Sequence, residues 1–227
     1  MPSVRFRPLR RRLVSILDRF RLIRPAFRVS EAWTAIRTSG TSVAEVGLLP
    51  LPSARLMVRV AGSANHDWFM RSGQSAYEVI AAQVPLQEMH DVFEFGCGCG
   101  RIARHWQNFS GSFVGSDLDE PAVRWCRRNL PFARFEVNGL EPPLIFGDES
   151  FDLAYAVSVF SHLTAPLQIA WRNELRRVLR PGGVLLVTTQ GRSYLPVLKR
   201  DEADRFLRGE LVVRWEDEAG TNLCQRT

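Results

Sequence analysis

A chain of 227 residues, 45% hydrophobic and 24% charged, has the composition of an ordinary globular protein with one sizeable core. Its four cysteines (Cys97, Cys99, Cys126, Cys224) do not make a disulfide framework in a chain of this size. The net charge of +6 is concentrated at one end: residues 1–28 hold nine arginines against the single acid Asp18, and the remainder is slightly acidic, so the high pI is no argument for nucleic acid.

In chain order, Leu9, Leu13, Ile16, Leu17 and Phe20 fall at helical spacing among those arginines. The pattern predicts a basic amphipathic arm over residues 1–40, its helix ended near Pro25. Such a helix suits an anionic lipid surface or a partner, and equally suits packing on its own domain. Residues 10–12 resemble the start of an export signal, but Asp18, Arg19, Arg21 and Arg24 interrupt the apolar run that a signal needs. No run of 18 or more apolar residues occurs, so the expected location is the cytoplasm, with peripheral contact to the inner membrane face through residues 1–28 as an added option. Residues 41–90 read as a connector with one strand at Leu56–Val60, then a lead-in helix over 74–84 that stops at Pro85.

From residue 91 to 227 the pattern becomes regular. Short apolar runs at 91–95, 112–116, 133–137, 151–158 and 183–189 alternate with helical segments at 100–109, 120–129, 164–179 and 195–208. Strand and helix alternating in this way predict an α/β domain with a doubly wound, mostly parallel sheet. Asp119 is placed to cap the helix at 120–129, and Pro181-Gly182-Gly183 to end the helix before the fifth strand.

Ligands of such sheets bind at the carboxyl ends of the strands. The first of those ends carries Glu94-Phe95-Gly96-Cys97-Gly98-Cys99-Gly100, whose glycines permit positive φ and close backbone approach. A dehydrogenase loop would want glycine at 101, and this chain has Arg101 there. Asp117 closes the second strand, where a carboxylate can accept bonds from ribose hydroxyls. Cys97 and Cys99 lack a second pair of ligands at metal spacing, so no metal is expected.

The segments VFEFGCGCGR (92–101), VGSDLDEPAV (114–123), NGLEPPLIFGDESFD (138–152), AVSVFSHL (156–163) and RRVLRPGGVLLVTTQG (176–191) stand in order. Together they resemble the Rossmann-like (class I) S-adenosyl-L-methionine-dependent methyltransferases, and more narrowly the small-molecule and glycan type. The resemblance implies that Glu94 and the backbone of Gly96, Cys97, Gly98 and Gly100 hold the methionine end of the cofactor. It implies that Asp117 holds the ribose, with Leu118 packing beside the adenine and Asn138 near the adenine amine. Ser158 would face the transfer site and His162 would serve as base, or else cap the following helix. Arg101 would pair with the cofactor carboxylate or pack on the protein surface. Trp68 and Phe69 stand where an acceptor would be covered, though core packing fits them as well.

The family continues beyond its fifth strand with an antiparallel hairpin, whereas only 36 residues follow Gly191, so that hairpin is expected to be incomplete, with ELVVRW (210–215) as one strand. The expected acceptor is a hydroxyl or amine of a small molecule or glycan precursor. The alternatives are an RNA methyltransferase, against which the acidic body and the absence of an N/D-P-P-Y/F segment speak, and a non-catalytic cofactor-binding protein.

Overall fold

The computed structural model describes residues 49–210 and 212, so the basic arm and most of 210–215 lie outside the described residues. The chain divides between His66 and Asp67 into two compact units. In the first, residues 54–61 form helix α1 (Ala54–Ala61) where a strand is expected at Leu56–Val60. Its ends explain the difference. The Ser53 hydroxyl accepts from Leu56 N–H at 3.3 Å, and Gly62 at φ +70° turns back so that its N–H reaches Val58 O. Two local caps therefore outweigh a short apolar run.

Helix α2 (His66–Ala81) opens at the division and is longer than the expected 74–84. The second unit then runs through β1 (Asp91–Phe95), β2 (Ser112–Asp117), α3 (Glu120–Asn129), β3 (Arg134–Val137), β4 (Phe151–Ala156), α4 (Ala165–Val178), β5 (Leu179–Val187) and α5 (Arg200–Leu207). Five strands in the order β3-β2-β1-β4-β5 form one sheet, and every pair is parallel. Helix α3 has the expected bounds, with Asp119 Oδ1 accepting from Ala122 N–H at 3.2 Å.

Three expected elements differ. Residues 100–109 make turns and a short 3-10 helix (Ala103–Trp106) in place of a full helix. One four-residue bond, Arg104 N–H to Gly100 O, gives way to the three-residue bond His105 N–H to Ile102 O. Residues 195–208 divide into a 3-10 segment (Arg192–Val197) containing Pro196 and then α5. Pro181-Gly182-Gly183 lies inside β5 and does not precede it. Phe151 faces Leu179 while Leu153 faces Val184, so β5 carries three extra residues there as a bulge.

The two faces of the sheet differ in kind. Phe93, Phe95, Val114, Ala154 and Ala156 join Trp171, Leu175 and Val178 of α4 in one apolar cluster. Phe95 and Trp171 lie 4.3 Å apart ring to ring, and Trp171 Nε1 donates to Leu140 O, so the indole is buried without losing its hydrogen bond. On the other face, Tyr155 stacks on Trp106 at 5.9 Å and Trp106 meets Phe113 at 5.4 Å. Helix α2 reaches this aromatic group through Tyr77, edge-on to Trp106. Gly73 lets it come that near, since a Cβ there would stand 2.0 Å from Arg101 O.

Candidate functional site

The site grows from the carboxyl end of β1. Gly96, Gly98 and Gly100 all hold positive φ (+83°, +53° and +77°), so the chain leaves the strand as a compact coil that side chains would obstruct. Gly96 and Cys97 N–H both donate to Ser116 O at 2.7 and 2.9 Å, which fastens the loop to the end of β2. Gly98 N–H donates to Asp117 Oδ2 at 2.7 Å, and Asp119 N–H to Oδ1 at 2.8 Å. One carboxylate thus orders both the glycine loop and the start of α3. Burial pushes the Asp117 carboxyl upward from its ordinary value, and the N–H bonds from Asp119, Gly98 and Leu118 oppose that shift.

Glu94 lies on β1 between Gly115 of β2 and Tyr155 of β4 in register. It is 2% exposed, and its Oε2 has no hydrogen-bond partner. Burial raises its pKa to about 8, opposed by the nearby Arg101 guanidinium and the Tyr155 hydroxyl. Arg101 also donates to Ser72 Oγ at 3.3 Å and stands 5.9 Å from the centre of the Trp68 ring. Trp68 is 43% exposed whereas Phe69 is fully buried, so the pair divides between surface and core.

At the end of β3, Asn138 N–H donates to Asp117 O at 3.1 Å and its Nδ2 to Gly139 O, while Oδ1 is buried without a partner. Leu118 is 47% exposed beside Asp117, and Leu140 and Ile145 are exposed close to Asn138 in sequence. A cleft of about 90 Å³ opens here, lined among others by Ser116, Val137, Asn138 and Ile145.

Past β4, Ser158 takes φ +61° and its N–H donates to Thr188 Oγ1 at 2.8 Å. Val159 comes next, and its Cγ2 stands 2.2 Å from where a Cβ on Gly96 would be, which brings this loop onto the glycine loop. His162 ends the 3-10 turn Phe160–His162 and donates its N–H to Val159 O. The structure therefore joins the glycine loop, Asp117 and Asn138 by hydrogen bonds, with Glu94 and Leu118 adjoining them along the chain, reaches Ser158 through Val159, and sets His162 one turn farther along. Sequence reasoning misses Ser116, Tyr155, Val159 and Thr188. Their places depend on strand register, and no motif spacing carries that.

Beneath the loop, the Cys97 and Cys126 thiols each point at Gly98 O, at 3.7 and 3.5 Å. The hydrogen bond to Cys126, then burial, raises the Cys97 thiol, and burial raises Cys99. Among the described residues no group of three or more His, Cys, Asp or Glu is arranged to hold a metal.

The arrangement fits an adenosine bearing an amino acid. A glycine loop in positive φ, an acceptor carboxylate at the β2 end and an exposed leucine stand in succession, and two buried acceptor oxygens, on Glu94 and Asn138, lack donors.

Comparison with known proteins agrees. A family model described as "Methyltransferase domain" matches residues 93–187. The malonyl-[acyl-carrier protein] O-methyltransferase of Pseudescherichia vulneris is 25% identical over 193 residues, 76% of this chain and 73% of that protein. The phthiotriol/phenolphthiotriol dimycocerosates methyltransferase 1 of Mycobacterium ulcerans is 32% identical over 170 residues, 71% of this chain and 59% of that protein. Several other curated relatives are spanned over 51–56% of their length, so the chain corresponds to about half of them. Among solved structures, the PH0226 protein of Pyrococcus horikoshii shares the fold with a TM-score of 0.50 at 23% identity, over 62% of this chain and 66% of that one.

Proposed function

This chain belongs to the Rossmann-like S-adenosylmethionine-dependent methyltransferases, and from that premise we propose that it transfers a methyl group to a hydroxyl or amine of a small molecule or glycan precursor. The observation that carries the reading is the glycine loop tied to Asp117 beside a buried, unpartnered Glu94 oxygen. S-adenosylmethionine supplies a methyl already activated on a sulfonium, so the protein's contribution is placement. Holding two reactants in line is worth roughly 7–11 kcal/mol of barrier.

In this reading Glu94 and the backbone of Gly96, Cys97, Gly98 and Gly100 receive the amino-acid end. Asp117 keeps acceptor capacity for ribose hydroxyls beyond the N–H groups that already bond it, since a carboxylate offers about four lone-pair sites. Leu118 covers the adenine, and Asn138 Oδ1 accepts from its amine. Ser158 stands at the transfer end, with His162 as the base for a hydroxyl acceptor. The names of the relatives, which act on a malonyl-[acyl-carrier protein] and on dimycocerosates, support a small or lipid-linked acceptor. The arginine-rich segment 1–28 belongs to the same proposal as a contact with the inner membrane face, tested by flotation of the full chain with anionic liposomes and its loss on deleting that segment.

Two measurements test the reading. Calorimetric titration with S-adenosylhomocysteine asks for binding, and labelled methyl transfer into small-molecule, glycan, lipid, RNA and protein fractions asks for the acceptor. Label in the glycan or small-molecule fraction is expected. Label in RNA would replace the acceptor class, and binding with no incorporation anywhere would leave a non-catalytic cofactor-binding protein.

A further inference from the structure

We propose that Thr188 is a positioning residue, whose hydroxyl oxygen holds the loop after β4 in the backbone conformation that seats Val159 against Gly96 and so sets cofactor affinity. The inference rests on the cofactor site proposed above.

Among the described residues only Glu149 and Ser158 hold positive φ without being glycine. Such a conformation crowds the Cβ of an L-residue and persists where the surroundings impose it. At Ser158 the imposing contact is visible. Its N–H donates to Thr188 Oγ1 at 2.8 Å. Thr188 is itself held, because its N–H donates to Ala156 O at 3.1 Å, just beyond the last paired residues Ala156 and Val187. A side chain from the end of β5 thus bonds the backbone two residues past the end of β4.

The chain beyond Ser158 has no slack. Val159 Cγ2 occupies the space that a Cβ on Gly96 would need, at 2.2 Å, while Val159 also packs against the apolar cluster beneath the sheet. His162 N–H bonds Val159 O at 2.8 Å, so the same pivot orients the turn bearing His162. If the Ser158 backbone relaxed toward negative φ, Val159 would swing, and the glycine loop would lose the surface it rests on. Because both Ser158 and Thr188 are exposed, the bond contributes little to the core. Its effect belongs to the site.

The experiment uses the full chain, with S-adenosylhomocysteine as calorimetric probe and thermal melting as the check on folding. Thr188→Val keeps the β-branched shape and removes the acceptor. Binding should weaken about three- to tenfold, as the net worth of one neutral hydrogen bond implies, with little change in melting temperature. Thr188→Ser should restore affinity. In a Ser158→Gly background, Thr188→Val should weaken binding no further, since glycine holds positive φ unaided. Wild-type affinity in Thr188→Val overturns the inference, as does the same loss when Thr188→Val is added to Ser158→Gly, because a ligand contact or simple packing role would cost affinity in either background. Should Thr188→Val not fold, Thr188→Ala with and without Ser158→Gly poses the same question. Failure of the parent protein to bind the probe overturns the cofactor site itself and this inference with it, a result unlike either of the others.

Discussion

Glu94 is the residue where burial and charge are most opposed. Its carboxyl is 2% exposed, one oxygen lacks a partner, and its pKa is raised to about 8 by that burial. An acid whose pKa is higher in the folded state than the ordinary 4.5 holds more protons folded than unfolded between those values. Its contribution to stability therefore falls as pH rises from 4.5 toward about 8 and is level beyond. Glu94→Gln removes that titration, so the variant should gain on the parent progressively over this range in denaturant unfolding, while binding S-adenosylhomocysteine more weakly. A parent-to-variant difference that is flat with pH would contradict the assignment. Glu94, Asp117 and Asn138 are legible in the sequence because each sits at a fixed offset from a strand end. Tyr155 is not, since its place beside Glu94 depends on pairing strands 61 positions apart.

Among the elements, legibility depends on how local the determining forces are. Helix α3 matches its expected bounds because Asp119, Glu120 and Pro121 act within one turn. Helix α1 departs from the expected strand because Ser53 and Gly62 are stronger signals than the apolar run Leu56–Val60. The segment 100–109 departs for a tertiary reason: α2 presses on it, and its residues turn Trp106 and Ala103 inward at the cost of a regular helix. That pressure yields a prediction for α2. Gly73→Ala would set a methyl 2.0 Å from Arg101 O, a backbone atom that cannot turn aside. Overpacking of this kind costs about 1–3 kcal/mol. The melting temperature should fall by several degrees, and Arg101, which bonds Ser72 on the same helix, should be displaced with it.

At the scale of the whole domain, alternation of strands and helices is enough to predict a parallel doubly wound sheet, but the order β3-β2-β1-β4-β5 is not readable from it. Part of what holds that order lies at the end opposite the site. Arg180 pairs with Asp152 at 2.7 Å and with Asp91 at 2.8 Å, joining β5 to β4 and β1, while Asp152 Oδ2 accepts from His90 and Asp91 N–H. Burial acts to raise the Asp152 carboxyl, but Arg180 and the two N–H groups overcome it and hold the value below 3.8. A depressed carboxylate contributes stability above its unfolded value and loses it as pH falls through the folded one. Arg180→Met should therefore cost about 1 kcal/mol at neutral pH, given the solvent screening of these half-exposed groups. Thermal melts should show the gap between variant and parent closing below pH 3.8.

Three buried thiols, two in the glycine loop and one on α3, give the protein an internal clock. Cys97, Cys99 and Cys126 are at most 3% exposed; the bond to Cys126 and then burial raise the Cys97 thiol, and burial raises Cys99, so a thiol reagent should reach them only when the loop opens. With Cys224 replaced by serine, the labelling rate counts those openings one molecule at a time. S-adenosylhomocysteine should slow it in proportion to occupancy, and labelling unaffected by saturating ligand would separate the loop from the binding event. Ligand binding at the glycine loop can in this way be followed through the sulfur atoms the loop keeps hidden.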